Sequence, residues 1–251
     1  MSSFLQSNRE ERFFCAVLLH VLLTPSASRD RALALINGAS CGGLVTDDLE
    51  CYVEVAALRD AWRLLGDPNK WTPRLYAARR DVLLGLLTVS CGYDGTADEL
   101  DELMAQHAFF WSSPTKIKLV SPGRWPLPAL EAATILGGSM NLKSLKWAFN
   151  SKPDLLLLSG GEGLIIEAKA ASGFGTNQTT GFNQLRVQEL ISTLFPVVTR
   201  GLVSEPLRRI ALTNHVAHGP LTWAALIDAV HPDELGGFTH AALLRASQVL
   251  S

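Results

Sequence analysis

The chain is short of several residue types that would point to a common function. Only four of its 251 residues are cysteines, Cys15, Cys41, Cys51 and Cys91, and none stands at the Cys-x-x-Cys spacing of a zinc or thiol–disulfide site. A disulfide-stapled secreted scaffold is excluded on the same ground, and the thiols read as reduced. Positive charge is not in excess. Lys and Arg total 22 against 24 Asp and Glu, a net charge of −2, which argues against tight, sequence-independent nucleic-acid binding by charge alone. Long apolar runs are missing too. The N-terminal run Phe13–Leu23 is interrupted by His20, is too short to span a bilayer, and follows a segment mixing Arg with Glu, unlike a signal peptide. No internal repeat or low-complexity tract stands out. The six histidines are dispersed, and His215 and His218 have no third ligand near them in sequence. The expectation is a soluble, cytoplasmic protein whose 47% apolar content suits one elaborated domain or two small ones.

Against these absences, residues 153–169 stand out. Two apolar runs, Leu155–Leu158 and Leu164–Ile166, flank Ser-Gly-Gly-Glu-Gly, the pattern of a β-hairpin. Asp154 sits at the mouth of the first strand, and Glu167 and Lys169 end the second. Side chains alternate along a strand, so Glu167 and Lys169 share a face and Ala168 turns away. Two acids and a lysine thus gather at one end of an apolar hairpin, an arrangement suited to a divalent cation held over a phosphate.

Pro153-Asp154 followed by Glu167-Ala168-Lys169 resembles the signature of the PD-(D/E)XK nuclease superfamily, the restriction-endonuclease-like and RecB-like enzymes. The resemblance implies an α/β fold with a restriction-endonuclease-like core, a mixed central sheet flanked by helices, here with an N-terminal helical elaboration. It implies that Asp154, Glu167 and the Ala168 carbonyl ligate Mg²⁺ or Mn²⁺, hard cations that favour oxygen donors. Lys169 would orient the attacking water or offset charge on the phosphate. The implied activity is hydrolysis of a phosphodiester bond by a DNA endonuclease, leaving a 5′-phosphate and a 3′-hydroxyl, in a setting such as bacterial or phage defence or mobile-element biology. The alternative is a nuclease-like subunit with weak or lost chemistry that serves assembly or DNA binding.

The family core runs helix, three strands, helix, strand. Leu145–Asn150, with Trp147 and Phe149 alternating, is expected as the strand before the hairpin. Phe182–Phe195 has helical apolar spacing ended by Pro196, and Arg209–Thr213 reads as the following short strand. Gln184 and Gln188 on that helix stand where RecB-like members carry residues that touch nucleic acid, although Gln188 replaces the Tyr of that subgroup. They read equally as exposed helix positions. Lys146 and Lys152, with Lys143, precede the motif and are candidate phosphate contacts, and Arg74, Arg79 and Arg80 form another local cluster. The first core helix is expected at Phe13–Leu23. Glu11 either supplies a further metal ligand from it or completes a capping box with Asn8.

In outline, residues 1–29 hold the first core helix, 30–140 a helical insertion and 141–251 the nuclease core with C-terminal helices. Within the insertion, Ala27–Asn37, Asp48–Leu65, Pro73–Thr88 and Thr96–Phe110 have helix-like spacing. Leu221–Val230 and His240–Leu250 are expected as amphipathic helices. DNA is the expected partner, and the helical block offers a surface for a protein partner or a homodimer.

Overall fold

A computed structural model describes residues 3–67, 69–112, 118–133, 135–136, 139–168, 176–177, 182–213, 219–236, 239 and 241–242, with side chains from residue 12 onward except at 176, 177 and 232. The chain is α/β and divides into two compact units. The first comprises residues 1–55, 153–173 and 207–251, and the second 56–152 and 174–206. The sequence segment 30–140 is therefore shared between them.

The first unit holds α1 (Ser3–Leu23), α2 (Ala27–Ser40), β1 (Glu50–Val53), β2 (Leu155–Ser159), β3 (Glu162–Ala168), β6 (Arg208–Thr213), β7 (Leu221–Thr222) and α9 (Trp223–Ala229). Its strands form one mixed sheet in the order β1-β2-β3-β6-β7. β1, β2 and β3 pair antiparallel, whereas β3 with β6 and β6 with β7 are parallel. Alternation sends Leu155, Leu157, Leu164, Ile166 and Ala168 into one core with Phe14, Leu18 and Leu22 of α1, Ile36 of α2 and Trp223 of α9. Leu156, Leu158, Ile165 and Glu167 occupy the opposite face and are buried as well. Burial on both faces explains why the hairpin strands read as unbroken apolar runs.

The hairpin turns on Gly160 and Gly161, whose φ values of 58° and 79° are the paired positive values of a type I′ turn. Asp48 ties this turn down: its carboxylate accepts from Ser159 Oγ at 2.6 Å and from the Gly160 amide at 2.7 Å. These bonds, Ser159's first and Gly160's next, hold the Asp48 carboxyl below its ordinary value of 3.8. A depressed folded-state pKa contributes stability above the unfolded value, and that stability is lost as pH falls through the folded one. Urea denaturation should therefore show wild type more stable than Asp48→Asn at neutral pH, with the difference disappearing well below pH 4. A difference that persisted at acid pH would point to shape instead of charge. Gly161→Ala should cost about 1 kcal/mol. A Cβ there would meet nothing within 4 Å, so the whole cost is conformational and shows as a shift in denaturation midpoint.

The second unit is helical: α3 (Ala57–Leu64), α4 (Pro73–Cys91), α5 (Ala97–Gln106), α6 (Leu127–Ala132), α7 (Ser139–Asn150) and α8 (Gln184–Thr199), with a short antiparallel pair, β4 (Thr176–Asn177) and β5 (Phe182–Asn183). α8 packs against α3, α4 and α7. Local chemistry sets several ends. Thr72 caps α4 with Pro73 in its first turn, and Gly92 closes it at a φ of 68°. Thr96 and Glu99 form a reciprocal capping box on α5.

Four expectations about local structure are corrected. Leu145–Asn150 is the end of helix α7, not a strand: Leu142, Leu145, Ala148 and Phe149 share its buried side, a 3.6-residue period that the short window around Trp147 concealed. The third antiparallel strand is β1, inside the stretch Asp48–Leu65 expected as one helix. Pro196 does not end α8. The helix continues to Thr199 and buries Val198 beyond the proline, so packing of that face outweighs the backbone bond lost in the last turn. Asn8 does not cap α1, which starts at Ser3. His215, His218 and most of His240–Leu250 lie outside the described residues.

Candidate functional site

The site residues follow from the register of the hairpin. Leu155 pairs with Ile166, Leu156 with Ile165 and Leu157 with Leu164, so the next position places Asp154 opposite Glu167. Both then belong to the sheet face away from α1, α2 and α9. Glu167 is 6% exposed, a buried acid at the end of a central strand flanked by antiparallel β2 and parallel β6. Asp154 is half-buried, and its Oδ2 accepts a hydrogen bond from the Ala168 amide at 2.8 Å. That bond fixes the Asp154 carboxylate against the backbone segment joining Glu167 to Ala168. The two acids expected from the motif are thus neighbours across one antiparallel pair.

A neighbouring element contributes something with no motif to announce it. Glu54 directly follows β1, and its amide donates to the Asp154 carbonyl at 3.2 Å. This extends the β1–β2 pairing of Val53 with Leu155 by one step. Glu54, Asp154 and Glu167 therefore lie in one cross-strand row. Glu54 has a φ of 48°, the left-handed region that a non-glycine residue seldom adopts. The sequence signal for its place was the β-branched and aromatic content of Cys-Tyr-Val, masked by the helix-like spacing around it.

The carboxylates of residues 154 and 167 and the carbonyl of residue 168 are oxygen donors, the kind that suits Mg²⁺ or Mn²⁺ better than a soft metal. Among the described residues no group of three or more His, Cys, Asp or Glu side chains is placed to hold a metal ion. Lys169 lies outside the described residues, as does the side chain of Glu11, whose backbone belongs to α1.

The expected nucleic-acid contacts fall in the second unit. Gln184 opens α8 half-buried, and Gln188 is buried on the same helix. The Lys146 ammonium donates to the Gly123 carbonyl at 2.8 Å, and burial pushes its pKa down. Lys143 is buried and paired with Glu131 at 2.9 Å, whereas Lys152 is exposed. Arg79 is not part of a surface cluster. It is 3% exposed, with its guanidinium 5.5 Å from the Trp62 ring and 5.6 Å from that of Trp71, and Arg80 is paired with Asp101 at 3.0 Å.

All four cysteines are free, and burial pushes the Cys51 thiol up to about 12, the behaviour of an inert thiol. Among the described residues no helix is long and apolar enough to cross a membrane. No family model, curated protein or solved structure matches the chain.

Proposed function

We propose that this protein is a metal-dependent phosphodiesterase acting on nucleic acid, most simply a DNA endonuclease with a restriction-endonuclease-like core. The observation that carries the reading is the register of β2 on β3, which sets Asp154 across from a buried Glu167 with the Asp154 carboxylate pinned to the Ala168 amide. The element order supports it. A first helix, three antiparallel strands, helix α8 and parallel strand β6 follow one another in the sequence expected of such a core, with α2 and the remaining helices as additions.

In this reading Asp154, Glu167 and the Ala168 carbonyl hold Mg²⁺ or Mn²⁺. Bound there, the cation would lower the pKa of a water and offset charge gathering on the phosphate. The protein's own part is placement. The Ala168 amide stops the Asp154 carboxylate from rotating, so the donors need little reorganisation when substrate arrives. Burial of Glu167 keeps bulk water from screening its charge. Lys169, two residues beyond Glu167, is assigned to orient the water or to balance charge on the phosphate.

The test is cleavage of supercoiled plasmid, linear duplex and single strands by wild type, Asp154→Asn, Glu167→Gln and Lys169→Met, each with Mg²⁺, Mn²⁺ or EDTA. Metal-dependent cleavage by wild type, lost in all three variants, is the expected result. Cleavage that survives in Glu167→Gln would remove the hairpin from the chemistry. No cleavage by folded wild type would favour a nuclease-like assembly subunit.

A further inference from the structure

The segment that extends β1 past Val53 also carries a charge pair that the fold has little need of. Glu54 Oε1 lies 2.6 Å from Arg12 Nε of α1 in an ion pair, with the Arg12 side chain 70% and the Glu54 side chain 33% exposed. An ion pair this open to water contributes little to folding. It is also incomplete. Among the described residues neither Arg12 Nη group, the fork that matches two phosphate oxygens, makes a hydrogen bond. The pair reaches the candidate centre through one backbone bond, since the Glu54 amide donates to the Asp154 carbonyl at 3.2 Å. Glu54 adopts its left-handed φ of 48° at this point. Strained backbone of this kind tends to persist where function holds it. By cross-strand alternation Glu54 would share the face of Asp154 and Glu167. Instead its carboxylate meets Arg12, on the helix that packs against the opposite face.

We propose that Arg12 is a phosphate-binding residue of the candidate centre, parked on the Glu54 carboxylate in the free protein and transferred to a phosphate of the nucleic-acid backbone on binding. This rests on the phosphodiesterase reading and adds a substrate contact to it. Glu54 is then a positioning residue: it holds Arg12 at the end of β1, one backbone bond from Asp154, and competes with the phosphate for it. Transfer exchanges one carboxylate for one phosphate, so the arginine stays paired throughout, and the contact is sensitive to salt but indifferent to base sequence.

The competition sets two substitutions against each other. Arg12→Ala should weaken binding of fluorescein-labelled duplex or single-stranded DNA about tenfold, the scale of one charge-assisted contact. Measured by anisotropy in EDTA, where no metal-dependent turnover occurs, its log affinity against log salt should be shallower by about one. Glu54→Gln should bind more tightly than wild type, because Arg12 loses its competitor. Glu54→Gly should do the same while accommodating the positive φ, which controls for any folding defect. With Mg²⁺, Arg12→Ala should raise KM and leave kcat in place.

A merely structural pair would make Arg12→Ala and Glu54→Gln shift the melting temperature alike and leave the salt slope unchanged; that result overturns the proposal. Glu167-dependent cleavage with an unchanged salt slope in Arg12→Ala sinks this inference alone. A wild type that neither binds nor cleaves DNA sinks both.

Discussion

Glu167→Gln is expected to reduce metal-dependent cleavage on the order of 10²–10³-fold, the scale for removing one electrostatic group from a reacting centre, while the protein stays folded. The substitution keeps the size of a side chain that is 6% exposed and removes only its charge. Metal binding gives a readout that needs no substrate. A cation that binds only the folded protein stabilises it by about 2.7 kcal/mol at a hundred times its Kd, so Mn²⁺ should raise the melting temperature of wild type and fail to raise that of Glu167→Gln.

Asp154 allows a finer separation of chemistry from architecture. Asparagine retains an oxygen able to accept from the Ala168 amide, as Asp154 Oδ2 does at 2.8 Å, so Asp154→Asn should lose activity and keep its stability. Asp154→Ala should lose both, because the amide of Ala168, a fully buried residue, is left without that acceptor at a cost of about 1–3 kcal/mol. Equal denaturation midpoints for the two variants would mean that the amide bond does not hold the site.

The second large effect belongs to the helical unit and concerns folding. Arg79→Met should destabilise the protein by about 3 kcal/mol or more, measured by urea denaturation with tryptophan fluorescence. Arg79 donates to the Leu119 and Gly66 carbonyls, each at 3.2 Å, and its guanidinium lies near the Trp62 and Trp71 rings. Desolvation lowers its pKa. Methionine fills the space but leaves both carbonyls unbonded. Lysine should fare little better, since a single ammonium cannot reproduce the planar fork and the contacts with the rings. A shift below about 0.5 kcal/mol, the scale of an ordinary surface change, would mean that water replaces the guanidinium without loss.

The difference between these two predictions reflects what could be read from the chain. The juxtaposition of Asp154 and Glu167 was legible because it is local. Strand alternation and a two-glycine turn are enough to bring positions 154 and 167 together, and the turn residues Gly160 and Gly161 specify the register. Helices α2 and α4 were legible through the apolar spacing of Ala27–Asn37 and Pro73–Thr88; the caps at Ser26 and Thr72 came to light only in the structure. Arg79 was not. Its sequence neighbours Arg74 and Arg80 made it look like part of a basic surface, and the groups that bury it come from residues 62, 66, 71 and 119.

The sequence alone thus determined the hairpin, the placing of Asp154 and Glu167 at one end of it, and the short strand Arg209–Thr213, because short-range periodicity and turn chemistry dictate each of them. The parallel pairing of that strand with β3 came from the fold. Tertiary structure decided what depends on distant partners. Glu50–Val53 is a strand because β2 offers it an open edge to pair with, and Leu145–Asn150 is helical because one side of α7 is buried along its length. Arg12 meets Glu54 because α1 packs beside β1. In each case a backbone edge or buried face far along the chain, which no local pattern encodes, made the choice.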